Sequence, residues 1–330
     1  EIDYYKNKRD IDPNQNRLSR VILRDALAKQ DPYRPYLPSS PYYSEAFWQR
    51  RDLSLLPENH LWGPRDYYKS PFYTEHKHPF VSEIGYHGCP SVSSIKKFID
   101  ADSLWPWHNN KQWALHCTDP FGLDGPYASR IPLMANQIKE LFGAVPEQLE
   151  SFSLASQISQ AEAKKFFVEM TRLRKWATTG IVWWNMIDGW PQFSDAVVDY
   201  YFGKKLAYHY LKRSQQDVCI MIDEPKNWSV RAVVSNDTLQ SHEGTYRIWD
   251  ADSGETLLQG NFRTKPNENT GLGSIRVSHS EQRLFLIQWT IGGTTYANHY
   301  LLGHPPISLE KYTQWLPLIA ELERPFVLDV

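Results

Sequence analysis

The sequence predicts an α/β unit with the rhythm of a barrel, followed by a β-sandwich. Three observations carry this expectation. Helix-patterned and strand-patterned segments alternate up to about residue 215. Beyond that point the chain breaks into short β-rich runs separated by turn residues. Two apolar strands in the first part also lead straight into polar and aromatic residues, as strands do where a barrel opens to its site.

In the first part a helix is expected over 17–30, where Leu18, Val21, Ile22 and Ala26 share one face and Asp31-Pro32 ends the run. Residues 33–80 are rich in loops, punctuated by Pro35, Pro38, Pro41, Pro57, Pro64, Pro71 and Pro79. A short strand follows over 80–82. Helices are expected from 93–98, 130–142 and 160–178, a buried strand over 181–187 and a closing helix over 203–213. Too few strands are present to close eight, so residues 1–215 read as the C-terminal half of a (β/α)8 TIM barrel. Residues 216–330 read as an immunoglobulin-like β-sandwich with a terminal helix. Its strands are expected at 217–223, 228–235, 245–249, 256–262, 282–289 and 294–302, with turns at Asn236-Asp237, Asp252-Ser253-Gly254 and Gly292-Gly293. The final helix, 309–322, can pack back on either part.

Composition narrows the function classes. Hydrophobic residues make up 41% and charged residues 22% of the 330, enough for a real core. A net charge of -2 gives no general pull toward nucleic acid or acidic membrane surfaces, and no run approaches a membrane span. The first residues have no signal-peptide pattern and no initiator Met, so the chain is expected to be processed or to begin mid-protein, and its compartment stays open. Cys89, Cys117 and Cys219 are odd in number and far apart, which points to buried free thiols rather than a disulfide framework or a zinc site. His76, His78 and His87 lack ligand spacing and read as surface or loop histidines. Lys96-Lys97 and Lys204-Lys205 read as solvated helix faces. Thirteen Trp and nineteen Tyr lift the aromatic share to 14%, and flat rings stack on the C–H faces of sugars as readily as they fill a core.

Two segments carry candidate chemistry. In Pro79-Phe80-Val81-Ser82-Glu83-Ile84-Gly85-Tyr86 a carboxylate follows an apolar strand, and Gly85 permits a turn that holds the Glu83 side chain at a pocket mouth. From the residues alone, Glu83 is either a catalytic carboxylate or a surface Glu capping the next element. The second segment runs from Gly180 through Trp183-Trp184-Asn185-Met186-Ile187-Asp188 to Gly189-Trp190-Pro191. A strand-end Trp there makes a sugar-subsite floor or barrel packing, and Asp188 fixes either loops or hydroxyls. Trp183 and Trp184 point to opposite faces of a strand, so one of them is structural.

Together these segments resemble glycoside hydrolase family two. The first matches its Phe-x-Ser-Glu-x-Gly nucleophile segment and continues through Cys89-Pro90-Ser91, while the second is similar to its closing strand. Val198-Asp199-Tyr200, the stretch from Lys204 to His209-Tyr210, Asp31-Pro32-Tyr33-Arg34-Pro35 and Ser39-Ser40-Pro41 resemble its flanking runs in the right order. The likeness is to the β-mannosidase branch, whose His-x-Trp-Gly segment His60-Leu61-Trp62-Gly63 resembles before diverging. Asn185, Ile187-Asp188 and Ser194-Asp195 depart from the family's usual Gln, Asn-Asp and Ser-Trp.

The resemblance implies a retaining exo-β-glycosidase that removes a terminal β-linked sugar, most simply a β-mannoside. β-Galactosidase or β-glucuronidase is the alternative within the family, and a non-catalytic carbohydrate-binding fragment the alternative outside it. It implies Glu83 as nucleophile and Glu1, 82 residues upstream, as acid/base. It further implies Trp184, Trp62, His60 and Asp188 as substrate contacts. No organic cofactor is needed, and no residue pattern marks a metal site. The expected partners are a glycoside or oligosaccharide substrate and the upstream half of the same enzyme, with no nucleic acid and no membrane.

Overall fold

The computed structural model of the chain describes residues 2–63, 66–117, 130–278 and 280–327. Glu1 lies outside the described residues. Strands β1 (Asn59–His60), β2 (Phe80–Gly85) and β3 (Gly180–Trp184) form a parallel sheet with β2 in the centre. Short helices fill the stretches around it: α1 (Ile2–Lys8), α2 (Arg24–Gln30), α3 (Glu45–Arg50), α4 (Pro71–Thr74), α5 (Val92–Ile95) and α6 (Lys111–Leu115). The longer α7 (Arg130–Phe142), α8 (Leu149–Leu173) and α9 (Leu206–Ser214) pack beside the sheet. The helix expected over 17–30 is present in two pieces, a π-helical turn over Leu18–Leu23 running into α2.

β2 is longer than the expected 80–82. It continues through Gly85, so Glu83 lies within the strand near its C-terminal end. α8 starts eleven residues before the expected 160, because the serines that dilute its apolar pattern are themselves buried. Ser153 Oγ donates to the Pro90 carbonyl at 2.8 Å, and Ser156 Oγ accepts from the Cys89 amide at 2.9 Å. Small hydroxyl residues let the helix approach the turn that follows β2, which a larger apolar face would hold off. At its C-terminal end the Asn269 side chain donates to the Arg172 and Leu173 carbonyls, at 2.9 and 3.2 Å, supplying partners that the last turn of a helix lacks.

After α9 come seven antiparallel strands: β4 (Val218–Ile222), β5 (Ser229–Asn236), β6 (His242–Asp250), β7 (Thr256–Thr264), β8 (Asn269–Arg276), β9 (Arg283–Ile291) and β10 (Thr294–Leu302). They form two sheets, in the orders β10-β9-β6-β7 and β4-β5-β8. Ile220, Val230, Val234, Ile248, Phe285 and Trp289 make one core between them. β8 has no counterpart in the expected strands, since Gly271 and Gly273 leave it without an apolar run and backbone pairing to β5 is what forms it. The last helix, α10 (Leu309–Glu321), touches both parts. Tyr312, Trp315, Leu316 and Ile319 pack into the core of α8 and α9, whereas Lys311 and Trp315 donate to Asp252 at 2.7 and 2.8 Å. Burial of Ile319 alone contributes roughly 1.5–3 kcal/mol.

Two surface assignments are corrected. His76, His78 and His87 lie in loops, as one reading has it, but are buried rather than at the surface; burial, ahead of the neighbouring Arg174 and His78, pulls His76 down to about 4. Lys205 is also buried, its ammonium donating to the Gly88 carbonyl at 2.7 Å, and burial lowers its pKa against the opposing pull of Asp188. The three cysteines are buried and form no disulfide. Among the described residues, no helix is long and apolar enough to cross a membrane and no cluster of three or more His, Cys, Asp or Glu could hold a metal ion.

Candidate active site

Parallel register builds the site. His60, the last residue of β1, pairs with Glu83, and Gly85 pairs with Trp184 at the end of β3. Three strand ends therefore deliver an imidazole, a carboxylate and an indole to one rim. A register shift between Val81 and Ile84 adds a bulge, with Val81 and Ile84 both in the core and Ser82 and Glu83 both half-buried. Bulges re-aim side chains in this way. The Leu61 amide donates to the Glu83 carbonyl at 2.7 Å, which fixes the backbone of the carboxylate to the chain that carries Trp62.

Among the described residues, two polar groups meet the Glu83 carboxylate, both at Oε2. Trp62 Nε1 donates to it at 2.7 Å, and His60 Nδ1 stands 3.3 Å away. The carboxylate keeps 24% of its side-chain surface exposed, against 8% for His60. Donors to a carboxylate stabilise and orient its charged form, which is what a nucleophile needs. The Trp184 ring stands edge-on to Trp62, 6.4 Å between centroids at 74°, and Trp184 itself is 48% exposed. Trp183, on the other face of the strand, packs into the core and takes the Lys164 ammonium over its ring, 5.6 Å from the centroid. Lys164 also donates to the Trp184 carbonyl and so anchors the strand end.

Gly85 matters for a different reason than a turn. A Cβ there would fall 2.5 Å from the Trp62 ring and 2.8 Å from Asp195 Oδ1, so the glycine is required by close approach. Asp195 is buried and lies 3.5 Å from His87 Nε2. Beneath this rim Gln160 of α8 donates to the carbonyls of Tyr86 and Asp195, at 3.0 and 3.1 Å.

Of the residues expected at the site, the structure brings Glu83, His60, Trp62 and Trp184 together. Asp188 is tied into its own loop. It is buried, and its Oδ1 accepts from Gln192 at 2.7 Å and Ser194 at 2.6 Å, while burial raises its pKa. Of its two expected roles, fixing the loop is the one with observed partners. Sequence reasoning missed Glu58, a buried carboxylate that accepts from Ser40 Oγ at 2.9 Å, from the Tyr42 amide at 2.5 Å and from Ser82 Oγ. It precedes β1, and no local pattern singles it out. A separate cleft of about 590 Å³, lined by Tyr67, Phe166 and Tyr300 among others, contains none of these residues. Its Lys69–Glu224 and Lys165–Glu169 pairs, at 2.8 and 2.7 Å, already satisfy each other.

The strand ends thus gather a carboxylate, an imidazole and two indoles at one rim. In sequence and fold the chain is similar to β-mannosidases. β-Mannosidase B of Thermothelomyces thermophilus is 25% identical over 89% of this chain and 36% of its own length. The Aspergillus flavus β-mannosidase B is 24% identical over 76% of this chain and 28% of its own. The crystal structure of β-D-mannosidase from Dictyoglomus thermophilum matches with a TM-score of 0.73 at 23% identity, over 89% of this chain and 35% of that one. That of the Amycolatopsis orientalis exo-chitosanase CsxA matches at 0.53 with 17% identity, over 76% of this chain and 30% of that one. The chain thus spans about a third of the length of the curated relatives it matches. No protein-family profile matches it.

Proposed function

We propose that the chain carries the nucleophile side of a retaining exo-β-glycosidase of glycoside hydrolase family two, acting on terminal β-mannosides. The observation that carries this is the pair of contacts on Glu83 Oε2, Trp62 Nε1 at 2.7 Å and His60 Nδ1 at 3.3 Å, beside the exposed Trp184 ring. Glu83 attacks the anomeric carbon and forms a glycosyl-enzyme, while Trp62 and Trp184 wall the sugar's apolar face. Glu1 protonates the departing oxygen and then deprotonates the incoming water, with the charge on Glu83 keeping it protonated for the first step. The anchoring of α1 supports that role. Asp3 accepts from the Tyr43 amide at 3.0 Å and its own amide donates to Ser39 Oγ at 3.4 Å, so α1 is tied to the loop whose Ser40 reaches His60 at 3.0 Å.

In this proposal residues 1–215 are the latter part of a (β/α)8 barrel and 216–330 an immunoglobulin-like domain with a terminal helix. Support comes from the parallel sheet, whose two outer strands have an unpaired edge among the described residues, and from the exposed apolar side chains of Val182, Trp184, Met186 and Ile187. The upstream half of the enzyme would cover them. The names of the relatives favour mannose as the sugar. The test is a panel of chromogenic aryl β-glycosides with the natural polypeptide that contains this chain, read with NMR of the first-formed anomer. The β-mannoside should be hydrolysed fastest, with retention. A faster β-galactoside or β-glucuronide would reassign the sugar, and an inverted product would remove the nucleophile role.

A further inference from the structure

Behind His60 lies a buried carboxylate for which the catalytic scheme above has no use. Glu58 is 5% exposed, and its Oε2 accepts from Ser40 Oγ at 2.9 Å. The same hydroxyl contacts His60 Nε2 at 3.0 Å, and His60 Nδ1 faces Glu83 Oε2 at 3.3 Å. Glu58, Ser40, His60 and Glu83 therefore form one continuous chain of polar contacts between two carboxylates.

The proton count in that chain has a consequence. A serine hydroxyl has one proton, and when it goes to Glu58 only lone pairs remain for His60 Nε2, which must donate. A neutral ring would then turn a bare Nδ1 toward the anionic Glu83 oxygen. A proton on Nδ1 replaces that repulsion with a charge-assisted hydrogen bond. Among the described residues no Lys or Arg ion-pairs with Glu58, whose three donors are the neutral groups of Ser40, Tyr42 and Ser82. Among the described residues, His78 and Tyr43 also face Glu58: His78 is held through Asn59 Nδ2 at 3.0 Å and burial lowers its pKa, while burial pushes the Tyr43 hydroxyl up to about 12.

We propose that Glu58 is a positioning residue which, through Ser40, holds His60 as an imidazolium aimed at Glu83 and so keeps the nucleophile ionised and oriented. The proposal rests on Glu83 being the nucleophile. The state of His60 is independent of turnover, so the two can fail separately.

The experiment is nitrogen-15 NMR of the histidine side chains over a pH series, in the wild type, Glu58→Gln and Ser40→Ala, with His60 assigned by His60→Gln. In the wild type His60 should be doubly protonated at neutral pH, titrating above the ordinary value of about 6.5. Both variants should lower that midpoint by on the order of one pH unit. Alongside it, kcat/KM for an aryl β-mannoside should fall about tenfold and its acidic limb should move to higher pH, because Glu83 loses its charged donor. Ser40 is exposed, so Ser40→Ala decides the matter if Glu58→Gln fails to fold. A His60 that titrates identically in wild type and Ser40→Ala, or is a neutral tautomer at pH 7, would overturn the proposal. No hydrolysis by the wild type, with the His60 shift intact, would instead remove the catalytic role of the site and leave the relay standing.

Discussion

At Glu83 the Trp62 indole donates to Oε2 and His60 Nδ1 stands 3.3 Å from the same oxygen. Glu83→Gln should lower turnover by on the order of 10⁴-fold or more, since an amide cannot act as the nucleophile. Glu83→Gly should recover part of the rate with azide and yield a glycosyl azide, read by mass spectrometry. Wild-type-like rates in Glu83→Gln would end its role as nucleophile. Trp62→Phe keeps an aromatic wall but deletes the 2.7 Å donor. A hydrogen bond to a charged group contributes about 1.5–3 kcal/mol, so kcat/KM should drop roughly ten- to hundredfold. An unchanged kcat/KM would mean that the indole N–H does not support Glu83. The motif made Glu83 legible because strand-end Ser-Glu-x-Gly is local. Glu58 was not legible, since its partners come from the loop of Ser40 and Tyr42 and from Ser82 of β2, which only the fold assembles.

Within the elements, β2 shows what periodicity reads and what it misses. The apolar start Phe80-Val81 marks the strand, but nothing local announces the bulge that turns both Ser82 and Glu83 off the core. The same limit applies at β8, where Gly271 and Gly273 conceal a strand that cross-strand pairing imposes, and at the N-terminal end of α8, where buried serines hide a helix face. Gly85 shows the converse: the residue was conspicuous, but its reason, the approach of the Trp62 ring and Asp195, belongs to tertiary structure. Gly85→Ala would bring a methyl to 2.5 Å from that ring. It should displace Trp62 and cut activity far more than stability, with an unfolding free energy lowered by about 1–3 kcal/mol in urea titrations. An active Gly85→Ala enzyme with native Trp fluorescence would show that the rim can yield.

At the scale of the whole molecule, α8, α9, β10 and α10 meet at one buried polar cluster. Glu162 accepts from His299 Nε2 at 3.0 Å and from Tyr312 at 2.5 Å, and Tyr312 contacts Tyr210 at 2.9 Å. Burial alone would raise the Glu162 carboxyl, but His299, Lys165 and Tyr312 outweigh it and bring it to about 2; burial holds His299 down at about 4. Both folded-state values lie below the ordinary ones, so the unfolded chain takes up protons first. Stability should therefore fall as pH drops from about 6.5 toward 4 for His299, and from about 4.5 toward 2 for Glu162, with a slope of up to about 1.4 kcal/mol per pH unit for each proton. Urea midpoints from pH 7 to 4 should decline in the wild type and less steeply in His299→Gln; equal slopes would clear His299 of the effect. The alternation of helices and strands before residue 215 and the β-rich runs after it were legible from pattern, whereas this junction, made by four elements far apart in sequence, was not. Glu83 as nucleophile is the central claim, and covalent trapping tests it most directly. The natural polypeptide that contains this chain would be treated with an activated 2-deoxy-2-fluoro-β-mannoside, digested and sequenced by mass spectrometry. A single fluoroglycosyl group on the peptide carrying Ser82-Glu83-Ile84, at Glu83, is the predicted result; a label on any other carboxylate, with Glu83 unmodified, would contradict it.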